Sequence, residues 1–310
     1  MTTATAPVTL AEAVEQHLGD PYDTTSPTGF RAILTEGQVG GRTGGQAGRA
    51  SRPLTPERLT AALKDGANAT PEAWLHALRA LYRRSPRLGR TVRPDLPDNG
   101  PRTTALHIGA SVGALDSALR VTVRHLRGRH LYGAPAVDIP HLRAVLCGVH
   151  ADLLLCDLLT TLAVRGEDAL PARAGAHEQA VRHLVPRVIQ GALDRLSVLM
   201  GSRFYIREGE TAVFQLLLNE TQRELFAPAR PPHRAPGPLP YDELITAPGA
   251  VALLSPDLTA AAPGRTLATH GRRVRQPSGT VQERLYADLV RRYDTARSFD
   301  LAERRLPDRP

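Results

Sequence analysis

The chain has 310 residues, a formal net charge of +8 at pH 7, 42% apolar residues and only 4% aromatic residues. A chain of this length and composition can bury a packed core in one large domain or two smaller ones. Its basic residues are all arginine except Lys64, and they are interspersed with acids instead of forming one stripe. The charge excess therefore indicates a solvated surface, and we do not expect nucleic acid as a partner.

Neither a secretion signal nor a membrane span is expected. The start of the chain, residues 1–7, lacks the cationic and apolar parts of a signal peptide. No apolar run reaches the ~18 residues that a membrane-spanning helix requires. Cys147 and Cys156 are placed on one predicted helix about 13 Å apart, which is too far for a disulfide. We therefore expect buried, reduced thiols and a cytoplasmic protein.

Capping signals predict short helices in an N-terminal helical segment, residues 1–84. A capping box, Thr9 with Glu12, begins a helix that ends near Leu18. Two Thr-Pro pairs each place a capping threonine before a proline in the first helical turn. These pairs are Thr55-Pro56 and Thr70-Pro71, and the helices that they begin are predicted over 56–65 and 71–84.

Residues 85–102 are crowded with proline and glycine. Proline removes a backbone donor and glycine loosens the chain, so this segment is predicted to be a linker with neither helix nor central strand. The glycine-rich stretch 37–48 follows no strand and is predicted to be a surface loop. Nowhere in residues 1–102 do β-branched residues alternate as they do in strands, so no sheet domain is expected there.

Beyond the linker, apolar residues recur every three or four positions, which is the period of an amphipathic helix. The pattern predicts four long helices with short connections, packed as an antiparallel up-down bundle over residues 103–226. Pro140 is tolerated in the first turn of the second helix, whereas Pro186 is expected to kink the third. The predicted helices cover residues 103–128, 138–164, 175–202 and 210–225.

Residues 227–310 are predicted to be a proline-rich and mostly irregular tail. A second capping box, Thr280 with Glu283, predicts one late helix that ends near Ala296. The fold class is therefore all-α: short N-terminal helices, a linker, a four-helix bundle and an irregular tail.

Few side chains indicate chemistry by their spacing alone. Arg143, His150 and Asp157 share one face of the second bundle helix, and they either line a pocket or mark a solvent-facing or subunit-facing edge. Asp157 lies in an apolar run, so it must be paired with another helix, lie near an edge, or belong to a ligand site. No histidine pair has the four-residue spacing of a zinc-binding helix, and no metal site is expected.

Six strings in the bundle resemble the C-terminal helical domain of the acyl-CoA dehydrogenase family, in its actinobacterial secondary-metabolism branch. They occur in the order and at the spacing of that family. Residues 19–23 and 78–86 are also similar to its N-terminal helical domain. The six strings are residues 109–120, 128–133, 141–146, 180–186, 196–209 and 214–217.

The resemblance implies a flavoprotein that oxidises an acyl thioester between its α and β carbons. The implied cofactor is FAD, and the implied substrate is carried by CoA or by an acyl carrier protein. The implied assembly is an oligomer, either with itself or with another dehydrogenase-like subunit. In such dimers the C-terminal helices of one subunit help to bind the FAD of the other.

The resemblance also carries four cofactor-binding residues over to this chain. Arg129 matches the arginine that meets the FAD pyrophosphate, a task that suits a forked guanidinium. Tyr132 replaces a phenylalanine beside the cofactor. Gly201 keeps the first residue of a Gly-Gly pair where the backbone approaches the dinucleotide, and Ser202 replaces the second. The structural alternative for Arg129 is a cation that stabilises a helix end.

Several positions depart from the family pattern. Pro140 replaces a glutamine that contacts the neighbouring subunit's cofactor, Leu218-Asn219 replaces an Arg-Asp pair, and no catalytic base is identified. The family's middle β domain, which covers one face of the flavin, would lie between Arg84 and Thr103, where only the linker is predicted.

Three functions remain open at this point. The chain is a dehydrogenase component of natural-product biosynthesis, a non-catalytic subunit that completes a full-length partner, or a recruit to a non-redox reaction. In the second case the FAD is shared with the partner, and in the third it is lost.

Overall fold

The structure is a computed structural model that describes residues 9–39, 59, 63, 69–92, 101–131, 133–226 and 279–308. The predicted loop over 37–48 and the proline-rich stretch 227–278 lie largely or wholly outside the described residues. Of the predicted helix over 56–65, only Leu59 and Leu63 are described, and both are helical and buried.

Helices α1 (Leu10–Leu18), α2 (Phe30–Val39) and α3 (Pro71–Arg84) form the N-terminal part of the fold. The capping box that begins α1 is confirmed: the Glu12 amide donates to the Thr9 hydroxyl, and the Thr9 amide donates to the Glu12 carboxylate. Thr70 caps α3 in the same way, with Pro71 in its first turn. Both predicted starts are therefore correct.

The prediction that residues 85–102 contain no helix is wrong. Only Ser85 separates α3 from helix α4 (Pro86–Val92), and the first helix of the bundle begins at Pro101. The Ser85 hydroxyl accepts from the Leu88 amide at 3.2 Å and so caps α4, while Pro86 occupies the first turn, where a missing donor has no cost. Leu88 and Val92 are then buried on one face of this short helix.

The four predicted bundle helices are confirmed as long helices with shifted ends. They are α5 (Pro101–Gly128), α6 (Pro140–Ala169), α7 (Ala174–Met200) and α8 (Gly209–Phe226). Helix α7 continues through Pro186, although a proline there removes one helical hydrogen bond. Short 3-10 helices precede α6, connect α6 to α7 and follow α7, over Ala136–Asp138, Pro171–Arg173 and Gly201–Tyr205.

Contacts between the helices give their directions. Gly166 of α6 faces the His177 ring of α7, and Asp152 pairs with Arg195, so these helices are antiparallel. Arg182 near the start of α7 donates to Thr104 near the start of α5 at 3.0 Å, so α5 and α7 run in parallel. The ends of α5 and α7 consequently lie at the same end of the bundle.

Within the described residues, the only strands are two short ones of two residues each, which form one hairpin. Strand β1 (His130–Leu131) pairs antiparallel with β2 (Ala134–Pro135), and Gly133 occupies the turn with φ of +82°. The protein is all-α in its described parts, as predicted.

The N-terminal helices and the bundle share one hydrophobic core. Helix α3 packs against α1 and α5, and its apolar face is buried in the same cluster as the bundle residues. Gly113 allows the backbones of α3 and α5 to approach each other closely, because a β-carbon at this position would lie 2.1 Å from the backbone oxygen of Arg79. Within the described residues, the N-terminal segment is therefore packed directly on the bundle.

The late helix is confirmed as α9 (Gly279–Asp294), and the residues after it are packed although they are irregular. We name residues 295–308 the C-terminal strap. Phe299 of the strap is fully buried, and Asp300, Arg304 and Asp308 are also buried. The strap is therefore part of the folded core.

Helix α6 corrects one further expectation. Its stretch Pro140–Gly166 is long and apolar enough to cross a membrane by composition, whereas no such run was expected. In the structure, 83% of its most apolar window is buried inside the protein. This helix therefore occupies the middle of a packed bundle, as in a soluble protein.

Candidate functional site

Arg129 and Gly201, two of the four proposed cofactor residues, are brought together at the end of α5 and α7. Gly201 has a φ of +64°, and a β-carbon added to it would lie 3.1 Å from Nη1 of Arg129. The guanidinium thus lies directly against the backbone of Gly201. Among the described residues, no carboxylate lies within ion-pair distance of Arg129.

The hairpin fixes the backbone of Arg129. Its carbonyl accepts from the amide of Ala136 at 2.6 Å, directly after β2. Gly133 supplies the left-handed turn residue that closes this hairpin. Tyr132 lies outside the described residues.

The segment that follows Gly201 is held by α8. The Gln215 amide donates to the carbonyls of Phe204 and Ile206, the latter at 3.4 Å. The Phe204 ring packs edge-on against Phe214, with 6.1 Å between ring centroids. Ser202 lies in this segment and is exposed beside Gly201. The proposed Gly201–Ser202 contact surface is therefore fixed and accessible.

Large apolar side chains are exposed at the same end of the bundle. The exposed fractions are 76% for Val198, 83% for Tyr205 and 48% for Ile206. These three side chains lie within nine consecutive residues, and exposed apolar side chains that adjoin one another mark interaction sites.

These residues fit the pyrophosphate of FAD in two respects. Arg129 offers a forked cation that pairs with no carboxylate of the described residues, and Gly201 allows a close approach to the backbone. The structural role of Arg129 is also compatible with its position, because the carbonyl ends of α5 and α7 both favour a nearby cation. The two roles predict different effects of an Arg129→Lys substitution.

The face of α6 that carries Arg143, His150 and Asp157 is buried at His150 and Asp157 and partly exposed at Arg143. It is covered by the chain's own C-terminal residues. The Arg143 guanidinium lies 4.8 Å over the Tyr286 ring, His150 Nε2 lies 3.1 Å from Asp288, and Asp157 accepts from the Leu301 amide at 2.6 Å. The expectation of a pocket or an exposed edge is therefore wrong for His150 and Asp157, which are buried, whereas Arg143 lies at an edge with its side chain 42% exposed.

Asp157 is paired with another helix, which is one of the three alternatives left open by the sequence. Its carboxylate binds the guanidinium of Arg79 on α3, and both side chains are fully buried. Arg79 also donates to Thr160 at 2.8 Å and to the Gly109 carbonyl at 3.2 Å. Asp157 therefore connects three helices and the strap, and it is not a ligand site.

Arg83 is the centre of a second buried ion cluster that sequence reasoning missed. Its guanidinium lies 3.0 Å from Glu15, 3.3 Å from Asp116 and 2.7 Å from Asp308. Burial opposes charging of the guanidinium, yet the three carboxylates hold the pKa of Arg83 well above its ordinary value. No local signal indicated this cluster, because Arg83 lies almost opposite the apolar stripe of Trp74, Leu75 and Leu78 on the predicted helix.

The strap supplies two of the buried carboxylates in these clusters. Burial favours the neutral acids, but the charges of Arg304 and Arg79 hold the pKa of Asp300 well below its ordinary value. The charges of Arg83 and Arg120 likewise lower the pKa of Asp308. Each of these carboxylates is buried and bonded to an arginine, so neither is placed to remove a proton from a substrate.

Metal binding finds no support in the parts of the chain that the structure describes. There, no three histidine, cysteine or acidic side chains form a group that could hold an ion. Cys147 and Cys156 are both buried free thiols, as expected.

Comparisons of the chain with protein-family models, with curated proteins and with solved structures find no match.

Proposed function

We propose that the chain is the helical component of an acyl-CoA dehydrogenase-type flavoprotein whose flavin site is completed by a partner subunit. The observation that carries this proposal is the contact of Arg129 with the backbone of Gly201, near exposed apolar side chains; Arg129 has no ion-pair partner among the described residues. The sequence resemblance assigns both residues to the same task, and they are 72 positions apart in the chain.

FAD, when bound, would accept the hydride from the β carbon of the acyl thioester. This chain would contribute Arg129 to the pyrophosphate and the Gly201–Ser202 backbone to the dinucleotide. The uncovered Val198, Tyr205 and Ile206 would exclude water at the border of the partner subunit.

The bonding of four buried acids favours a non-catalytic role for this chain within the complex. The carboxylates of Asp116, Asp157, Asp300 and Asp308 are all buried and engaged with arginine or with strap amides. None of these four carboxylates is free to take the α proton, so in this proposal the base comes from the partner.

Co-expression with a full-length acyl-CoA dehydrogenase from the same genome tests this function. We expect a stable mixed complex on size-exclusion chromatography that contains FAD and dehydrogenase activity. Arg129→Ala should lower both the FAD content and the activity at least tenfold, which is the effect of losing about 1.4 kcal/mol of binding.

Two further variants separate binding from folding. Arg129→Lys keeps the charge at the helix ends but loses the fork, so it should retain the melting temperature and still lose FAD. Arg187→Ala removes an exposed arginine from α7 and should change neither quantity. Absence of a mixed complex, or full FAD content in the Arg129→Ala complex, contradicts the proposal.

A further inference from the structure

Helix α9 and the strap together form a C-terminal unit, residues 279–308, that is organised by its own hydrogen bonds and ion pairs. Arg292 of α9 donates to the carbonyls of Phe299 and Asp300, at 3.3 and 2.6 Å. Arg304 in turn donates to the Asp300 carboxylate at 2.8 Å. The irregular strap is therefore closed onto α9 by contacts within the unit, and the unit is preorganised for binding.

The bundle holds the backbone of this unit in the way that proteins bind peptides. The Asp116 carboxylate of α5 accepts from the Phe299 amide. The Asp157 carboxylate of α6 accepts from the Leu301 amide at 2.6 Å. Bonds to ionised acceptors are among the stronger hydrogen bonds, so two buried carboxylates aimed at alternate amides fix the register of the strap.

The side chains of the strap also meet complementary groups of the bundle. The Phe299 ring lies 4.5 Å from the Arg120 guanidinium and edge-on to the His150 ring. The Asp308 carboxylate lies 2.7 Å from Arg83 and 3.5 Å from Arg120. A buried aromatic anchor and a paired carboxylate are features by which a binding surface selects one peptide sequence over another.

The connection between α8 and the C-terminal unit, residues 227–278, supplies none of these contacts. They join the unit directly to α3, α5 and α6. A covalent connection adds to such contacts by keeping a ligand at high effective concentration. The contacts themselves do not require it.

We propose that the bundle carries a peptide-docking site and that the C-terminal unit is its built-in ligand. This docking site consists of Arg83, Asp116, Arg120, His150 and Asp157. The unit binds through its own backbone and side chains, and its connection to α8 raises only its local concentration. The four proposed cofactor residues take no part in the contacts named above, so the docking does not depend on the proposed function.

The test uses the full chain with a specific protease site inserted in the stretch 227–278 and cut after folding. We expect the cut protein to remain one complex on size-exclusion chromatography. Its melting temperature should fall on dilution, whereas that of the uncut chain should not, because only the cut protein dissociates into two parts.

A fluorescently labelled peptide of residues 279–308 then measures the site itself. We expect the cut protein to take up this peptide in exchange for its own unit, with a rise in fluorescence anisotropy. The uncut chain is the control, because its own unit stays at high local concentration. It should take up at least about tenfold less peptide.

Two peptide variants at neighbouring positions distinguish recognition from general charge. Arg304 is buried and donates to the His76 carbonyl on α3 at 3.2 Å, whereas Arg305 is exposed. The Arg304→Met peptide should bind at least about tenfold more weakly than the natural peptide, because it leaves buried partners without their cation. The Arg305→Met peptide has the same net charge and should bind within about twofold of the natural peptide.

Three results would overturn the docking proposal. Cut protein that unfolds even in excess natural peptide would show that the unit is inseparable from one continuous fold. Cut protein that stays folded but takes up no labelled peptide would show the same. Equal binding of the Arg304→Met and Arg305→Met peptides would mean that the docking site does not recognise the sequence of the strap.

Discussion

Arg83 binds three carboxylates that come from α1, α5 and the C-terminal strap. A buried ion cluster of this kind contributes little net stability compared with apolar residues of similar size, but it becomes costly when one member is removed. The reason is that the remaining charges stay buried without a partner. Single residues in these clusters therefore decide whether the strap and the bundle stay together.

Arg83→Met tests this dependence. The substitution leaves Glu15, Asp116 and Asp308 buried without their main cation, so we expect a loss of about 3–5 kcal/mol in the free energy of unfolding. Arg87→Met is the control, because Arg87 is half exposed and lies 3.8 Å from Glu220. Its cost should stay below about 1 kcal/mol. Urea unfolding of both variants measures the difference, and equal costs would show that the cluster has no special role.

Acid pH should release the strap through its carboxylates. The pKa of Asp300 is lower in the folded protein than the ordinary value of about 3.9, so its contribution to stability is present above pH ~4 and is lost as the pH falls towards the folded pKa. We expect Asp300→Asn to be less stable than the natural protein at neutral pH.

The difference between the two proteins should then shrink as the pH falls below about 4, because protonation neutralises the natural aspartate. Thermal unfolding from neutral to acid pH measures both curves. A constant difference over that range would mean that the ionised form of Asp300 has no role.

At the scale of elements, local sequence signals predicted where helices begin, but they did not predict how distant parts of the chain pack together. The capping threonines Thr9 and Thr70 placed α1 and α3 within one residue. Ser85-Pro86 carries the same signature, but the glycines and prolines after it concealed the short helix α4. Periodicity predicted the bundle helices because a core-facing stripe is a local property of the sequence.

The strap has no such local signal. Its backbone is irregular, and its buried residues are joined to the bundle by contacts that span most of the chain. The fully buried Phe299 ring lies 4.5 Å from the Arg120 guanidinium and 5.8 Å from the His150 ring, on two different helices. Which helices meet such a segment depends on the assembled fold, so the sequence alone could not place it.

Phe299→Ala tests the strap as part of the core. Removal of a fully buried phenylalanine leaves a cavity and should cost about 3–5 kcal/mol. Phe226→Ala is a matched control, because Phe226 is 52% exposed at the end of α8. Its effect should stay within about 0.5 kcal/mol. Equal effects in denaturant unfolding would mean that the strap is detached in solution.

At the scale of the whole molecule, one face of the bundle is closed and one end is open. The C-terminal residues cover the α6 face that carries His150 and Asp157. The end of α5 and α7 instead carries the partly exposed Arg129 and Gly201, together with the exposed side chains of Val198 and Tyr205. This asymmetry favours a subunit that completes its own core and offers one surface to a partner.

The candidate site was predictable only in part. Resemblance assigned Arg129 and Gly201 to one cofactor, and the structure places them in contact. Periodicity could not do so, because the two residues lie at the ends of different helices. The exposed side chains of Val198 and Tyr205 were also hidden from the sequence, since they lie among residues that read as an ordinary helix end.

The most direct test is the FAD content of the chain purified alone. Within the described residues, the strands comprise one short hairpin and no sheet covers the Arg129 end, so an isolated chain provides only part of a flavin site. We predict that little or no FAD remains bound after gel filtration in excess FAD, as measured by flavin absorbance. A yellow protein with one FAD per chain would contradict the account of a partner-completed site.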